Sequence, residues 1–227
     1  MALILNIDTA TDTASVCISE NGSSIAYREN DRQKEHASFV HAAIHSILKE
    51  ARKELEQIDA FSVTSGPGSY TGLRVGLATA KGFCFALNKP LITVNTLAVM
   101  VQAAIMEKPA FNNSNLLYCP MIDARRMEVY TAIYNSKMEM QLQPTAIVLE
   151  PSTFDRWMND FVILFFGSGS AKFKSMLSNE KGVFADIKFN AVNLAQLAEQ
   201  SFSKKKFADV AYAAPDYVKE FFSTLKQ

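Results

Sequence analysis

Apolar and polar positions along the chain run twice through the same grammar. Residues 3–8, Leu-Ile-Leu-Asn-Ile-Asp, read as a buried strand. Residues 14–20 alternate, with Val16 and Ile18 on one face, which predicts a half-buried strand. Asn21-Gly22 is a hairpin signal, and 24–29 is the return strand. Phe39, Val40, Ala43, Ile44, Ile47, Leu48, Ala51 and Leu55 make an amphipathic helical stripe over about 35–55. A short strand at 61–64, a sharp Ser65-Gly66-Pro67-Gly68 loop, a helix over about 71–87, a strand at 91–94 and a helix at 96–106 follow. The second round has strands at 116–123, 128–135 and 145–149, then a helix around 154–158 opened by Pro151. A buried strand at 162–166, a Gly167-Ser168-Gly169-Ser170 loop with another helix, and a late helix at 193–202 complete it. Residues 213–222 are expected to be an extended terminal segment.

The two rounds share landmarks. Ile7-Asp8 and Ile122-Asp123 each end a first strand, and Gly66-Pro67-Gly68-Ser69 echoes Gly167-Ser168-Gly169-Ser170. Three strands, a helix, a strand and a helix, used twice, predict a duplicated α/β unit. An acidic residue ending each first strand, facing a cleft between halves, is the layout of actin-like phosphotransferases. The expected division is 1–103 plus about 208–227 for the first subdomain and 104–207 for the second.

Composition narrows the function. The 227 residues carry 23 Lys+Arg and 23 Asp+Glu, a net charge of zero, with 48% hydrophobic residues. This excludes a disordered tail, a coiled coil and a collagen-like fibre. A protein that grips nucleic acid alone carries a basic stripe, so if RNA is involved another chain holds most of the phosphate. Cys17, Cys84 and Cys119 are dispersed among apolar neighbours and read as buried hydrophobes of a reducing compartment. The start Met1-Ala2-Leu3-Ile4-Leu5 meets Asp8 almost at once and reads as a strand, not a signal peptide. The longest strongly apolar run, 161–166, is too short to span a bilayer. A soluble cytoplasmic protein is expected.

Several residues carry candidate chemistry. Asp8 with Thr9-Ala10-Thr11 could cradle a phosphate and serve a metal, or simply cap the strand and close the turn. Neither that turn nor Ala124-Arg125-Arg126-Met127 has a glycine. In SGPGSYTGLR, residues 65–74, the glycines permit positive φ, and the helix start could bind an anion, but no GK[ST] follows. Two small faces run along this helix: Gly72, Gly76 and Ala80, and Ala78, Gly82 and Ala86. Each interior glycine costs roughly 1 kcal/mol against alanine, so close backbone approach is expected, within the subunit or against a second chain. His41 and His45 have an i, i+4 metal spacing without a Glu or Cys in register, and read as solvated or interface histidines. Arg125, Arg126 and Glu128 could be a cleft edge, a partner contact or a solvated turn, and Lys204-Lys205-Lys206 a solvated helix end.

Ile7-Asp8-Thr9-Ala10, the 65–74 run and Ile122-Asp123-Ala124-Arg125-Arg126-Met127-Glu128-Val129-Tyr130 resemble the TsaB (YeaZ) proteins of bacteria. The match is specific over about 1–97 and around Asp123, and weak over 154–207. Pro215-Asp216-Tyr217-Val218-Lys219 resembles the family's P-x-Y-L-R, departing conservatively at the last two positions. The resemblance implies an actin-like (ribonuclease H-like) duplicated fold and a role in making threonylcarbamoyladenosine in tRNA. It implies a non-catalytic subunit that supports the paralogous transferase TsaD. The ATPase TsaE joins them, tRNA is reached only indirectly, and a homodimer forms through helices of the first subdomain when the protein is alone. Where TsaD carries a metal-binding HxxxH, this chain reads Val94-Asn95-Thr96-Leu97-Ala98-Val99-Met100, with no histidine or carboxylate.

The partner or dimer interface expected from this is Tyr70, Thr71, Gly72, Arg74, Gly76, Ala80, Lys81 and His41, on the helices 35–55 and 71–87. A leucine at Gly76 is expected to block association in a folded monomer. The degenerate nucleotide cleft is Asp8, Thr9, Asp123, Gly167 and Gly169, with no catalytic residue, no metal and no cofactor, unless a nucleotide binds at a subunit joint. The alternative is an actin-fold ATPase or kinase with Asp8-dependent ATP binding. A peptidase lacks any placeable metal pair or Ser-His-Asp set. A self-contained regulatory homodimer is a third reading.

Overall fold

The computed structural model describes residues 2–32, 35–107 and 115–218; Lys219 and the expected tail beyond it lie outside the described residues. The first sheet holds β1 (Leu3–Asp8), β2 (Ala14–Glu20), β3 (Ser23–Asn30), β4 (Ala60–Gly66) and β5 (Leu91–Asn95), in the order β3-β2-β1-β4-β5. β1 is antiparallel to β2 and parallel to β4, and β4 is parallel to β5. The second sheet holds β6 (Leu116–Asp123), β7 (Glu128–Asn135), β8 (Met140–Val148), β9 (Val162–Phe166) and β10 (Gly182–Phe184). Its order is β10-β9-β6-β7-β8, the same plan. β6 is antiparallel to β7 and parallel to β9, matching β1 with β2 and β4. The Ile-Asp and Gly-x-Gly-Ser echoes therefore mark equivalent places in two equivalent units.

One expected boundary moves and one strand is new. α1 (His36–Ala51) ends at Arg52, which adopts a left-handed φ of 53°, and Leu55 falls in a separate 3-10 turn, Leu55–Gln57. The apolar stripe continued past the point where the backbone turned. β10 was not anticipated, because three half-buried residues carry no periodicity.

Each sheet is covered on both faces. α1 and α2 (Tyr70–Leu87) bury Val40, Ile44, Ile47 and Leu77 against Leu5, Ile7, Ile18 and Val63. α4 (Asp155–Met158) and α5 (Ser170–Lys174) cover the corresponding face of the second sheet, around Phe154, Phe165 and Phe173. The inner faces are covered by exchange. α3 (Thr96–Glu107) lies between the sheets, packing Leu97, Met100 and Ala104 against Leu116, Tyr118 and Leu164 of the second and Val99 against Ile4 and Ile92 of the first. α6 (Ala191–Ser203) packs Leu194 and Ala198 against Ile4, Ala60 and Ile92 of the first. Thus α6, which the sequence-order division assigns to 104–207, lies on the first sheet. Full burial of a leucine contributes about 1.5–3 kcal/mol, so this exchange ties the halves together. Gln102 Nε2 donates to Gln196 Oε1 at 2.7 Å where the two helices meet.

The segment after α6 returns to the first half. Ala208 bridges Leu91, Lys81 Nζ donates to the carbonyls of Ala211 (3.2 Å) and Ala213 (2.9 Å), and Asp216 N–H donates to the Ser65 carbonyl at 2.6 Å. The strap runs antiparallel beside α2.

Candidate functional site

A cleft of about 1610 Å³ separates the halves. Thr11, Asp12, Glu29 and Asp31 line it from the first half, and Asp123, Arg125, Gly167 and Lys188 from the second. Of the residues expected to form a nucleotide cleft, only Asp123 and Gly167 line it. Asp8 and Thr9 are 1% and 0% exposed and lie beneath its floor, as does the buried Gly169.

The reason is backbone packing. The β1–β2 turn presses directly onto the glycine loop that precedes α2. A Cβ at Gly68 would strike the Ala10 carbonyl oxygen, and one at Gly72 the Thr9 carbonyl oxygen. Ser69 N–H donates to the Ala10 carbonyl at 2.7 Å, and the Thr9 hydroxyl donates to the Gly72 carbonyl at 2.7 Å. Gly72 N–H is held by the Ser69 hydroxyl at 3.3 Å, the N-cap of α2. Of the amides at this helix start, those of Ser69 and Gly72 are thus engaged by the chain itself. In the second half the glycine loop rests on strand β6 itself rather than on the turn after it. Gly169 N–H donates to the Met121 carbonyl at 3.0 Å, and a Cβ at Gly167 (φ 92°) would strike Met100 and the Met121 carbonyl.

The two acidic landmarks have opposite environments. Burial raises the Asp8 pKa, against the lowering effects of the Thr64 hydroxyl (2.7 Å) and the Ala10 N–H (3.1 Å). Asp123 is on the surface. Lys172 at 2.6 Å holds its pKa down, helped by the Arg125 N–H at 2.7 Å.

The interface expected from the sequence needs correction. Gly72, Gly76 and Ala80 face inward: a Cβ at Gly76 would strike the Thr9 hydroxyl and lie 3.2 Å from Val63. This small face brings α2 onto β1 and β4, so these three residues cannot meet a partner. The other small face is the open one. A Cβ at Gly82 would meet nothing within 4 Å, Ala78 and Ala86 are exposed, and Phe85 is 86% exposed. The sequence reading passed over Phe85, although it falls i+3 from Gly82 and i+7 from Ala78. Thr71 and His41 are exposed as expected, and His41 meets Phe83 edge-on across the α1–α2 junction. Tyr70, Arg74 and Lys81 hold the strap: the Arg74 guanidinium lies 3.9 Å from the Tyr70 ring centroid and its Nε donates to Tyr217 Oη at 3.0 Å. Tyr70 and Tyr217 stack at 5.5 Å. Tyr212, 86% exposed, is flanked by the two carbonyls that Lys81 binds.

Comparison with known proteins fits this geometry. The family model described as TsaD, tRNA N6-adenosine threonylcarbamoyltransferase, matches residues 30–224. A Bacillus subtilis protein, tRNA threonylcarbamoyladenosine biosynthesis protein TsaB, is 29% identical over 95% of this chain and 93% of its own length. The chain belongs to the TsaB (YeaZ) branch of the TsaD family. A Pseudomonas aeruginosa crystal structure, described as similar to peptidase YeaZ, superposes with a TM-score of 0.81 at 26% identity, over 96% of this chain and all of that one. Component A of Acidaminococcus fermentans (R)-2-hydroxyglutaryl-CoA dehydratase superposes with a TM-score of 0.50 at 9% identity, over 89% of this chain and all of that one. That likeness shows the shared actin-like fold. Among the described residues, no helix of this TsaB-family chain is long and apolar enough to cross a membrane.

Proposed function

We propose that the chain is a non-catalytic scaffold subunit of the tRNA threonylcarbamoyl-transfer complex, acting in the cytoplasm to support a TsaD-like catalytic subunit that modifies the adenosine beside the anticodon. A TsaE-like ATPase joins the pair, and the chain forms a homodimer when alone. The observation that carries the reading is the self-filled pair of glycine loops. The Ala10 carbonyl accepts the Ser69 N–H and the Met121 carbonyl the Gly169 N–H, so each glycine loop is bonded to its own subunit. Positions 94–100, where TsaD would carry metal ligands, put Leu97 and Met100 into the core between the halves instead. Both loops have become structural joints.

The docking face is the outer side of α1 and α2: His41, Thr71, Ala78, Gly82 and Phe85. Small side chains let a partner backbone approach, and an exposed aromatic beside them supplies the anchor that dominates such contacts. No cofactor of its own is needed for this role.

Reconstitution tests the reading. Transfer of threonylcarbamoyl to tRNA by the TsaD-like subunit should require this chain, and Asp8→Asn should support it as well as wild type does. ATP or peptide turnover by the purified chain alone, abolished by Asp8→Asn, would show an enzyme instead.

A further inference from the structure

The chain builds two consecutive left-handed residues twice, by different means. In the β2–β3 hairpin they are Asn21 (φ 53°) and Gly22 (φ 76°), the residue types that adopt this conformation most easily. In the β6–β7 turn they are Arg125 (φ 67°) and Arg126 (φ 45°). Arginine gains nothing from this conformation, and its Cβ opposes it. The turn is held in place by its surroundings: Arg125 N–H donates to Asp123, Ala124 N–H to the Glu128 carbonyl at 3.1 Å, and Leu149 N–H to the Met127 carbonyl at 2.7 Å. Both arginines are exposed, and among the described residues neither guanidinium is hydrogen-bonded or ion-paired. Lys172 neutralises Asp123, to which the Arg125 N–H donates. The turn therefore presents two uncommitted guanidinium groups that its backbone geometry did not ask for, and strain of this kind gathers at functional sites.

We infer that Arg125 and Arg126 bind backbone phosphates of the tRNA. This rests on the reading above, which puts a tRNA beside this protein, and it amends the expectation that tRNA is reached only indirectly. Guanidinium forks match phosphate oxygens, and two such contacts suit a chain whose zero net charge leaves most of the phosphate to a partner. The contact belongs on the rim of the second half. The opposite lip carries Asp12, Glu29 and Asp31, which repel a phosphate backbone from the cleft itself. Met127, 44% exposed, shares the tip, so an acidic protein surface is the competing occupant.

The test uses unfractionated tRNA, the chain alone at low salt, and the chain in its complex with the TsaD-like subunit. Three forms are compared: wild type, Arg125→Gln with Arg126→Gln, and Arg125→Asn with Arg126→Gly. The last restores residues suited to the turn and should melt higher than wild type. Between about 50 and about 200 mM salt, two phosphate contacts should make wild-type affinity fall about tenfold more than that of either variant. Complex formation, followed by gel filtration, should be unchanged. Equal salt dependence in all three forms, alone and in the complex, would overturn the inference. So would loss of complex formation in the variants, which would assign the arginines to a protein partner. Failure of the wild-type complex to form would count against the scaffold reading, while binding to the chain alone still decides this one.

Discussion

Asp8 ends β1 at the place of an actin-like acid but is 1% exposed, buried under the chain's own Thr9–Ala10 turn. Burial raises its pKa above the ordinary value near 3.8. The folded state then binds the proton more tightly than the unfolded chain does. The stability this provides is complete below the unfolded pKa and is lost as pH rises through the folded value. Asp8→Asn keeps an acceptor for Thr64 and Ala10 and removes the buried charge. The variant should melt higher than wild type at pH 7, by about 2–4 °C for each kcal/mol released, and the advantage should vanish toward pH 4. Thermal melts across that range check it; a variant less stable at pH 7 would contradict the assignment. At this scale the sequence was half legible. It marked Asp8 and both glycine loops, but not that the loops close on each other, because a carbonyl filling an amide leaves no signature in residue type. The inward face of α2 was within reach: Leu73, Leu77 and Cys84 lie on the same side as Gly76 and Ala80 and are buried with them.

Among elements, the exchange of α3 and α6 matters most. The sequence placed both helices within a few residues, α6 by a clear apolar face and α3 by being apolar nearly all round. It could not say which sheet each covers, because an apolar face fits either inner surface and only the path of the chain decides. The consequence is measurable. Leu194 lies in α6, far along the chain from the first sheet, but packs in the same cluster as Ile4 and Ile92. Leu194→Ala should cost about 2–5 kcal/mol and speed amide exchange in β1, β4 and β5. Faster exchange confined to residues 116–184 would show that α6 does not support the first sheet. The β8 and β10 strands were the least legible, the one extending well before the apolar segment that announced it, the other too short to announce itself.

For the molecule as a whole, duplication was legible from two short echoes, because equivalent strands end in equivalent turns. How those turns pack was visible only in three dimensions. An architecture with its glycine loops bonded to its own strands and turns, and with an exposed small-residue and aromatic face on its outer helices, fits a protein that acts by holding another. The decisive measurement is co-elution with a co-expressed TsaD-like subunit, read by size-exclusion chromatography with light scattering and paired with thermal melts. Gly82→Leu, which has open space around it, should melt like wild type yet elute apart from the partner, whereas Gly76→Leu should lose stability outright. A Gly82→Leu chain that still co-elutes with the TsaD-like subunit at wild-type strength would contradict the account.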